Sequence, residues 1–207
     1  MPNRKLLLHA DALRSARAVS ITSLAWTTII SALEMIVGLR AHSLTLVAFA
    51  FTGALDAAGS AVLADHFDRD VRASRQARRS EHVALRVISI GMFGVGIATG
   101  VVSVWRLTRG SETTATIAGP AIAAASVVGL ALLAHRKTVV ARRIDSAGLL
   151  ADAQLSKFGI ALACVSLVGT GVSRVWEWSW IDPFAALVIA VLALRVAWII
   201  AEDARQA

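Results

Sequence analysis

The sequence has few of the features on which disulfide-rich proteins and enzymes rely. Among its 207 residues there is a single cysteine. Cys164 lies inside an apolar run, so the chain cannot build a disulfide framework. We find no nucleophile placed beside a base, no phosphate-binding glycine loop and no HExxH motif. We therefore expect a protein that is not an enzyme.

Processing and domain signals are also scarce. The basic N-terminus MPNRKLLLHADALRSAR is not followed by a short apolar region with a small-residue cleavage site, so we expect no cleaved signal peptide. No low-complexity segment divides the chain, and the sequence stops soon after its last apolar run. We expect one domain over residues 1–207, without a cytoplasmic C-terminal domain.

Apolar residues are present in excess. They make up 57% of the chain, and the mean hydropathy is +0.67, whereas soluble domains are about 45–50% apolar. Several runs are long enough to cross about 30 Å of hydrocarbon as helices. Because the runs do not alternate with polar residues, barrel strands are excluded. The sequence thus predicts an all-α membrane protein with six transmembrane helices. We place these spans at residues 18–39, 43–64, 87–105, 115–134, 144–172 and 181–201.

The net charge of +7 is concentrated between the apolar runs, a pattern of membrane topology rather than of nucleic-acid binding. Basic clusters precede the first span and follow the second and fourth spans. The last cluster comprises Arg136, Lys137, Arg142 and Arg143. The positive-inside rule places these clusters and both termini in the cytoplasm. Three tryptophans then lie at the outer interface: Trp176, Trp178 and Trp180.

Ionisable residues inside the spans are candidates for function, because each costs about 2.5–3.5 kcal/mol on insertion scales. Asp56 lies too deep in the second span for its short side chain to reach water. A hydrogen-bonded buried carboxyl is one interpretation, and we favour the other, a polar pathway for a cation. Asp152 lies two turns into the fifth span, where an interfacial position and a cation entrance fit equally well.

Three other charged residues have simpler interpretations. Lys157 follows Asp152 by five residues, so the two cannot form an i,i+4 pair. Lys157 either extends toward the cytoplasm or pairs with another helix, and Arg195 is expected to extend to the interface in the same way. For Glu34, near the outer end of the first span, we expect a structural ion pair with Arg40.

The segment ADHFDRD, residues 64–70, places His66 and Asp68 among further acidic residues at the inner end of the second span. Mixed imidazole and carboxylate ligands suit zinc or manganese. The spacing is not diagnostic, and we favour a solvated acidic helix end. A second metal site at His66 and Asp68 is the alternative.

Three segments together resemble the cation diffusion facilitator, or cation efflux, transporters. They are HSLTLVAFAFTGALDAAGS in the second span, DSAGLLADAQLSKFG in the fifth and WSWIDPFAALVIAVLAL at the start of the sixth. The chain is most similar to short bacterial members that lack the cytoplasmic C-terminal domain. The resemblance implies transport of a divalent cation in exchange for protons, a homodimer or heterodimer, and the bacterial inner membrane.

The resemblance also implies a metal site at the membrane midplane. It would use two acidic residues one turn apart on the second helix, and a histidine and an aspartate one turn apart on the fifth. Here the first pair falls on Thr52 and Asp56, and the second on Leu155 and Gly159. Asp56 keeps its carboxylate, and Asp152 of the A-D-A segment is the other candidate ligand.

We therefore expect Thr52, Asp56, Leu155 and Gly159 to meet inside the bundle, with Lys157 turned away from them. The expected function is transport of a divalent cation, with zinc held only weakly at this incomplete site. The alternative is a transport-inactive member that serves as a membrane partner or scaffold subunit. The expected partners are the lipid bilayer and the cation, and no nucleic acid.

The orientation is testable by labelling. In a protein without Cys164, a cysteine placed near Arg75 is expected to react with a membrane-impermeant thiol reagent only from the cytoplasmic face, because arginine-rich segments stay inside. Labelling of intact cells and of inverted vesicles measures this. Reaction from the outside of intact cells would overturn the orientation.

Overall fold

The computed structural model describes residues 2–69, 74–110, 114, 116–176, 178 and 180–206. Six α-helices and no strand lie within this part of the chain. The helices are α1 Pro2–Arg40, α2 Leu44–Arg69, α3 Ser74–Arg109, α4 Ala118–Ile144, α5 Ala147–Trp176 and α6 Ile181–Gln206. Each contains an apolar segment long enough to cross a membrane, the shortest having 19 residues. The prediction of an all-α protein with six transmembrane helices is confirmed.

The helices extend beyond the predicted spans, most informatively in α4. This helix ends at Ile144 and is followed by Asp145, which adopts a left-handed conformation and closes the last turn through its N–H. Lysine and arginine are good helix formers, so a helix can continue after its apolar run has ended. Lys137 therefore belongs to α4 and is buried, and the prediction that it lies in a cytoplasmic loop was wrong.

Helix α2 is central in the bundle. It packs against α1, α3, α5 and α6, while α4 packs against α1 and α5, and α3 packs against α6. Small residues allow the closest approaches, because a Cβ at Gly53 would collide with Ser31 and one at Gly129 would collide with the ring of Trp26. Membrane helices associate through such close packing, since lipid is as apolar as their side chains.

The two ends of the bundle differ in chemistry. Where α5 leads into α6, the rings of Trp176, Trp178 and Trp180 follow one another with centroid distances of 6.2 and 5.9 Å. We call this the tryptophan end. The opposite end, here the arginine-rich end, carries Arg14, Arg17, Arg136, Arg142 and Arg143. Indole rings prefer the membrane–water interface, so the tryptophan end marks one such interface.

Asp182, the second residue of α6, holds the start of α2. Its carboxylate accepts hydrogen bonds from Ser43 Oγ at 2.5 Å and from the N–H of Leu44 at 2.8 Å. Its carbonyl accepts one from Thr45 Oγ1 at 2.6 Å. The first N–H groups of a helix have no partner within the helix, and a negative charge there complements the helix dipole. Asp182 therefore fixes α2 against α6.

We expect Asp182→Asn to lower the stability of the folded protein by roughly 1–3 kcal/mol, because an amide cannot replace both charge-assisted hydrogen bonds. Thermal unfolding in detergent, followed by tryptophan fluorescence, measures the loss. Asp145→Asn is the control, because Asp145 is exposed and asparagine accepts the left-handed conformation. Equal melting temperatures for the two variants would contradict the assigned role of Asp182.

Candidate functional site

A cavity of about 30 Å³ lies inside the bundle. Thr52 and Asp56 of α2 and Leu155 and Gly159 of α5 all line it, so the four positions meet as expected. Lys157 is outside the lining and exposed, also as expected. One water molecule needs roughly 10–15 Å³ of such volume. The cavity therefore has room for a few water molecules or a partly hydrated cation.

The side-chain oxygen atoms that line this cavity come from two of its helices. On the α5 side, Leu155 and Gly159 offer no side-chain donor atoms. The oxygen atoms that can bind a cation come from α1 and α2. They are the hydroxyl oxygens of Thr27, Ser31 and Thr52 and the carboxyl oxygens of Glu34 and Asp56. Oxygen ligands suit hard cations such as magnesium, calcium and manganese.

Asp56 is the most exceptional group in the lining. Its side chain is buried, and its Oδ1 has no hydrogen-bond partner among the described residues. Buried polar atoms nearly always have a partner. Thr52, one turn earlier, donates its hydroxyl proton to the carbonyl of Phe49 at 2.8 Å, so its oxygen is left to act as an acceptor. An acceptor pair of this kind can bind a cation.

Glu34 is buried at another part of the same cavity. Its Oε1 accepts a hydrogen bond of 2.6 Å from Ser126 Oγ of α4. The expected ion pair with Arg40 was wrong, because Arg40 is exposed and Glu34 is bonded to Ser126. Six residues correspond to a rotation of about 240° around a helix, so the two side chains leave α1 on different faces.

Glu34 ends a row of buried polar side chains on one face of α1. The others are Ser20, Ser23, Thr27 and Ser31. Their spacing of three or four residues keeps them on one face. The row faces α2, because Ser23 Oγ lies 3.3 Å from Ser60 Oγ and Ser31 packs on Gly53. This antiparallel register places Thr27 beside Asp56, so the row links the cavity to the arginine-rich half of the bundle.

A buried ion pair lies one turn of α2 beyond Asp56, toward the arginine-rich end. Lys137 Nζ is 2.7 Å from Asp152 Oδ2, and the two side chains are 0% and 1% exposed. Lys137 also donates to Ser60 Oγ at 3.2 Å and to Ser156 Oγ at 2.9 Å. Ser60 Oγ in turn donates to Asp152 Oδ1 at 3.2 Å. All three ammonium protons thus have an acceptor.

The structure places the two candidate metal ligands differently. Asp56 lines the cavity, whereas Asp152 is outside its lining and paired with Lys137. The side chains of His66 and Asp68 lie outside the described residues. Within the described part of the chain, no group of three or more His, Cys, Asp or Glu side chains is placed to hold a metal.

Lys157 and Arg195 are exposed on the outside of the bundle, where each can extend along the lipid toward an interface.

Our sequence reasoning missed Lys137 because it follows an apolar run and stands among arginines. The helical phase of α4 carries the missing signal. Lys137 is three residues after Ala134 and four before Ala141, and both alanines are buried. Its neighbours Arg136 and Arg143 are exposed. A lysine on the apolar face of a helix is expected to point into the bundle.

Comparison with known protein families gives a match. The family model described as "Cation efflux transmembrane domain" matches residues 20–207. The match therefore includes the α1 row, the cavity and the buried ion pair. The comparison with curated proteins finds no match.

We expect Lys137→Met to destabilise the protein by about 3–5 kcal/mol, because it leaves the Asp152 charge buried and unpaired. The double variant Lys137→Met/Asp152→Asn is expected to recover most of this loss, since both charges are then absent. Denaturant unfolding in detergent with a metal chelator measures the free energies for a double-mutant cycle. Lys157→Met is the matched control and is expected to change stability by less than about 0.5 kcal/mol. Additive losses in the double variant would contradict a coupled pair.

Proposed function

Since the chain belongs to the cation efflux family of transmembrane domains, we propose that it transports a cation through the cavity beside Asp56. The observation that carries this proposal is the buried Asp56 oxygen, which has no hydrogen-bond partner among the described residues and lies in a cavity between membrane-spanning helices. Intramembrane acids of transporters commonly mark the ion pathway. Family membership supplies the activity, and Asp56 supplies the site.

The proposed cation is divalent and is held by oxygen atoms. Asp56 is the charged ligand, and the hydroxyls of Thr27, Ser31 and Thr52 are the neighbouring donors. Ions such as Mn²⁺ and Mg²⁺ accept oxygen ligands and keep several waters when protein ligands are few. Tight zinc sites contain nitrogen or sulfur ligands, whereas the ligands proposed here are all oxygen atoms. We therefore propose weak binding of zinc.

The row of polar residues on α1 supports a route between the cavity and the arginine-rich end. In our proposal that end faces the cytoplasm of a bacterial inner membrane, because positive charge is retained inside. Export then proceeds toward the tryptophan end.

Proton exchange is part of the proposal, because a carboxyl oxygen such as Asp56 Oδ1 can bind either a cation or a proton. The dimer implied by the resemblance stays a prediction.

Substitution of Asp56 tests the transport proposal. In proteoliposomes that contain a fluorescent indicator, Mn²⁺ uptake driven by a pH gradient is expected to fall at least about tenfold in Asp56→Asn, a loss of 1.4 kcal/mol or more in transition-state or binding free energy. Asparagine preserves the volume of the side chain but removes its charge.

Asp145→Asn makes the same chemical change at an exposed position and is expected to transport like the wild type. Size-exclusion chromatography checks that each variant is folded. Equal uptake by wild type and Asp56→Asn would remove Asp56 from the pathway. A folded wild type that moves neither Mn²⁺ nor Mg²⁺ nor Zn²⁺ would contradict divalent transport and favour a scaffold subunit.

A further inference from the structure

A lysine side chain is enclosed inside the bundle, close to the cavity. Among the side chains that the structure describes, Lys137 is the only buried lysine or arginine. Its ammonium is coordinated by one carboxylate and two hydroxyl groups, those of Asp152, Ser60 and Ser156. Oxygen ligands of this kind would also suit a metal ion. The proposed transport cycle assigns no task to this group.

We propose that Lys137 is a tethered cation that weakens the binding of divalent cations in the neighbouring cavity. It acts by occupying the carboxylate of Asp152 and by adding a positive charge close to Asp56. Lys137 is therefore a specificity-determining residue, and its effect is to lower the affinity of the cavity for divalent metal ions. This inference rests on the proposed function to the extent that Asp56 is taken as the cation ligand.

The geometry connects the ion pair directly to the Asp56 site. Ser60 follows Asp56 by four residues on α2, and such positions share a face with Cβ atoms about 5–6 Å apart. Ser60 Oγ is 3.2 Å from both Lys137 Nζ and Asp152 Oδ1. The ion pair therefore meets α2 one helical turn from Asp56.

The charge balance gives the expected direction. With all three groups ionised, Asp56, Asp152 and Lys137 carry a formal sum of −1, and Glu34 at another part of the cavity contributes the same with and without Lys137. Without the ammonium the sum is −2, which matches a divalent ion. Charge interactions over a few ångströms are strong where water is scarce. Removal of Lys137 should therefore free Asp152 as a second acid and increase the attraction for a divalent ion.

A purely structural ion pair would behave differently. Its loss would reduce stability but would leave the affinity for divalent ions unchanged. Weak binding has a use in transport, because an ion must be able to leave its site as well as enter it. An internal competitor achieves this without removal of the acidic residues.

Mn²⁺ binding to the full chain in detergent distinguishes the two roles. Lys137→Gln is expected to bind Mn²⁺ at least about tenfold more tightly than the wild type. The gain should disappear in Lys137→Gln/Asp152→Asn, where the second acid is also lost. Lys157→Gln removes an exposed lysine from α5 and should leave the affinity unchanged. Unchanged affinity in folded Lys137→Gln would overturn the proposal.

Because Lys137→Gln loses a buried ion pair and with it stability, the melting temperature provides a second readout. Mn²⁺ should raise it more in Lys137→Gln than in the wild type, because the ion replaces the lost ammonium and stabilises the folded state that binds it. A variant that remains unfolded at high Mn²⁺ concentration would overturn the proposal.

The outcomes also separate this inference from the proposed function. Tighter Mn²⁺ binding in Lys137→Gln, with no Mn²⁺ transport by the wild type, would support the tethered cation and contradict transport. Transport that depends on Asp56, with no change of affinity in Lys137→Gln, would support transport and overturn the tethered cation.

Discussion

The buried contact between Lys137 and Asp152 ties together most of the interior of the bundle. The ammonium comes from α4 and the carboxylate from α5, and Ser60 of α2 contacts both. Ser23 of α1 reaches the same Ser60. Because charge is costly in hydrocarbon unless it is paired, α2, α4 and α5 must keep these positions relative to one another. Stability alone does not require such a pair, since well-packed apolar residues are often as stabilising.

In the cavity next to this ion pair, the polar atoms lie on other helices than the family resemblance implies. The resemblance implies metal ligands on α5, where this chain has Leu155 and Gly159. The oxygen atoms are instead supplied by α1 and α2. A site that lacks an imidazole and is lined by hydroxyl and carboxyl oxygens suits hard ions. The lipid-spanning scaffold and the convergence of α2 on α5 do not depend on these ligands, so the fold tolerates the exchange.

Much of the fold could be predicted because it follows from composition. Apolar runs define six helices without any knowledge of their partners, and the spacing of Asp56 from Ser43 places that acid deep in the membrane. The meeting of α2 and α5 followed from the family resemblance. The contacts between helices could not be obtained this way. Glu34 and Ser126 are 92 residues apart in sequence, and no local pattern links them.

Asp182 illustrates the same limit, because the helix it caps begins 138 residues before it. Lys137 is intermediate, since its helical phase points inward but its partner Asp152 is known only from the packing of α4 on α5. Sequence patterns thus locate the costly groups, and tertiary structure decides how their cost is offset.

The connection between α4 and α5 has a mechanical consequence. Only Asp145 and Ser146 separate the two helices, and the N–H groups of both bond to the carbonyl of Ala141. The hairpin is fastened again by the ion pair at 2.7 Å. The hairpin is also bonded to other helices, because Ser60 of α2 contacts both members of the pair at 3.2 Å and Ser126 of α4 donates to Glu34 of α1 at 2.6 Å. The short connection, its backbone hydrogen bonds and the ion pair all hold α4 to α5, so the two helices are expected to move together as one unit.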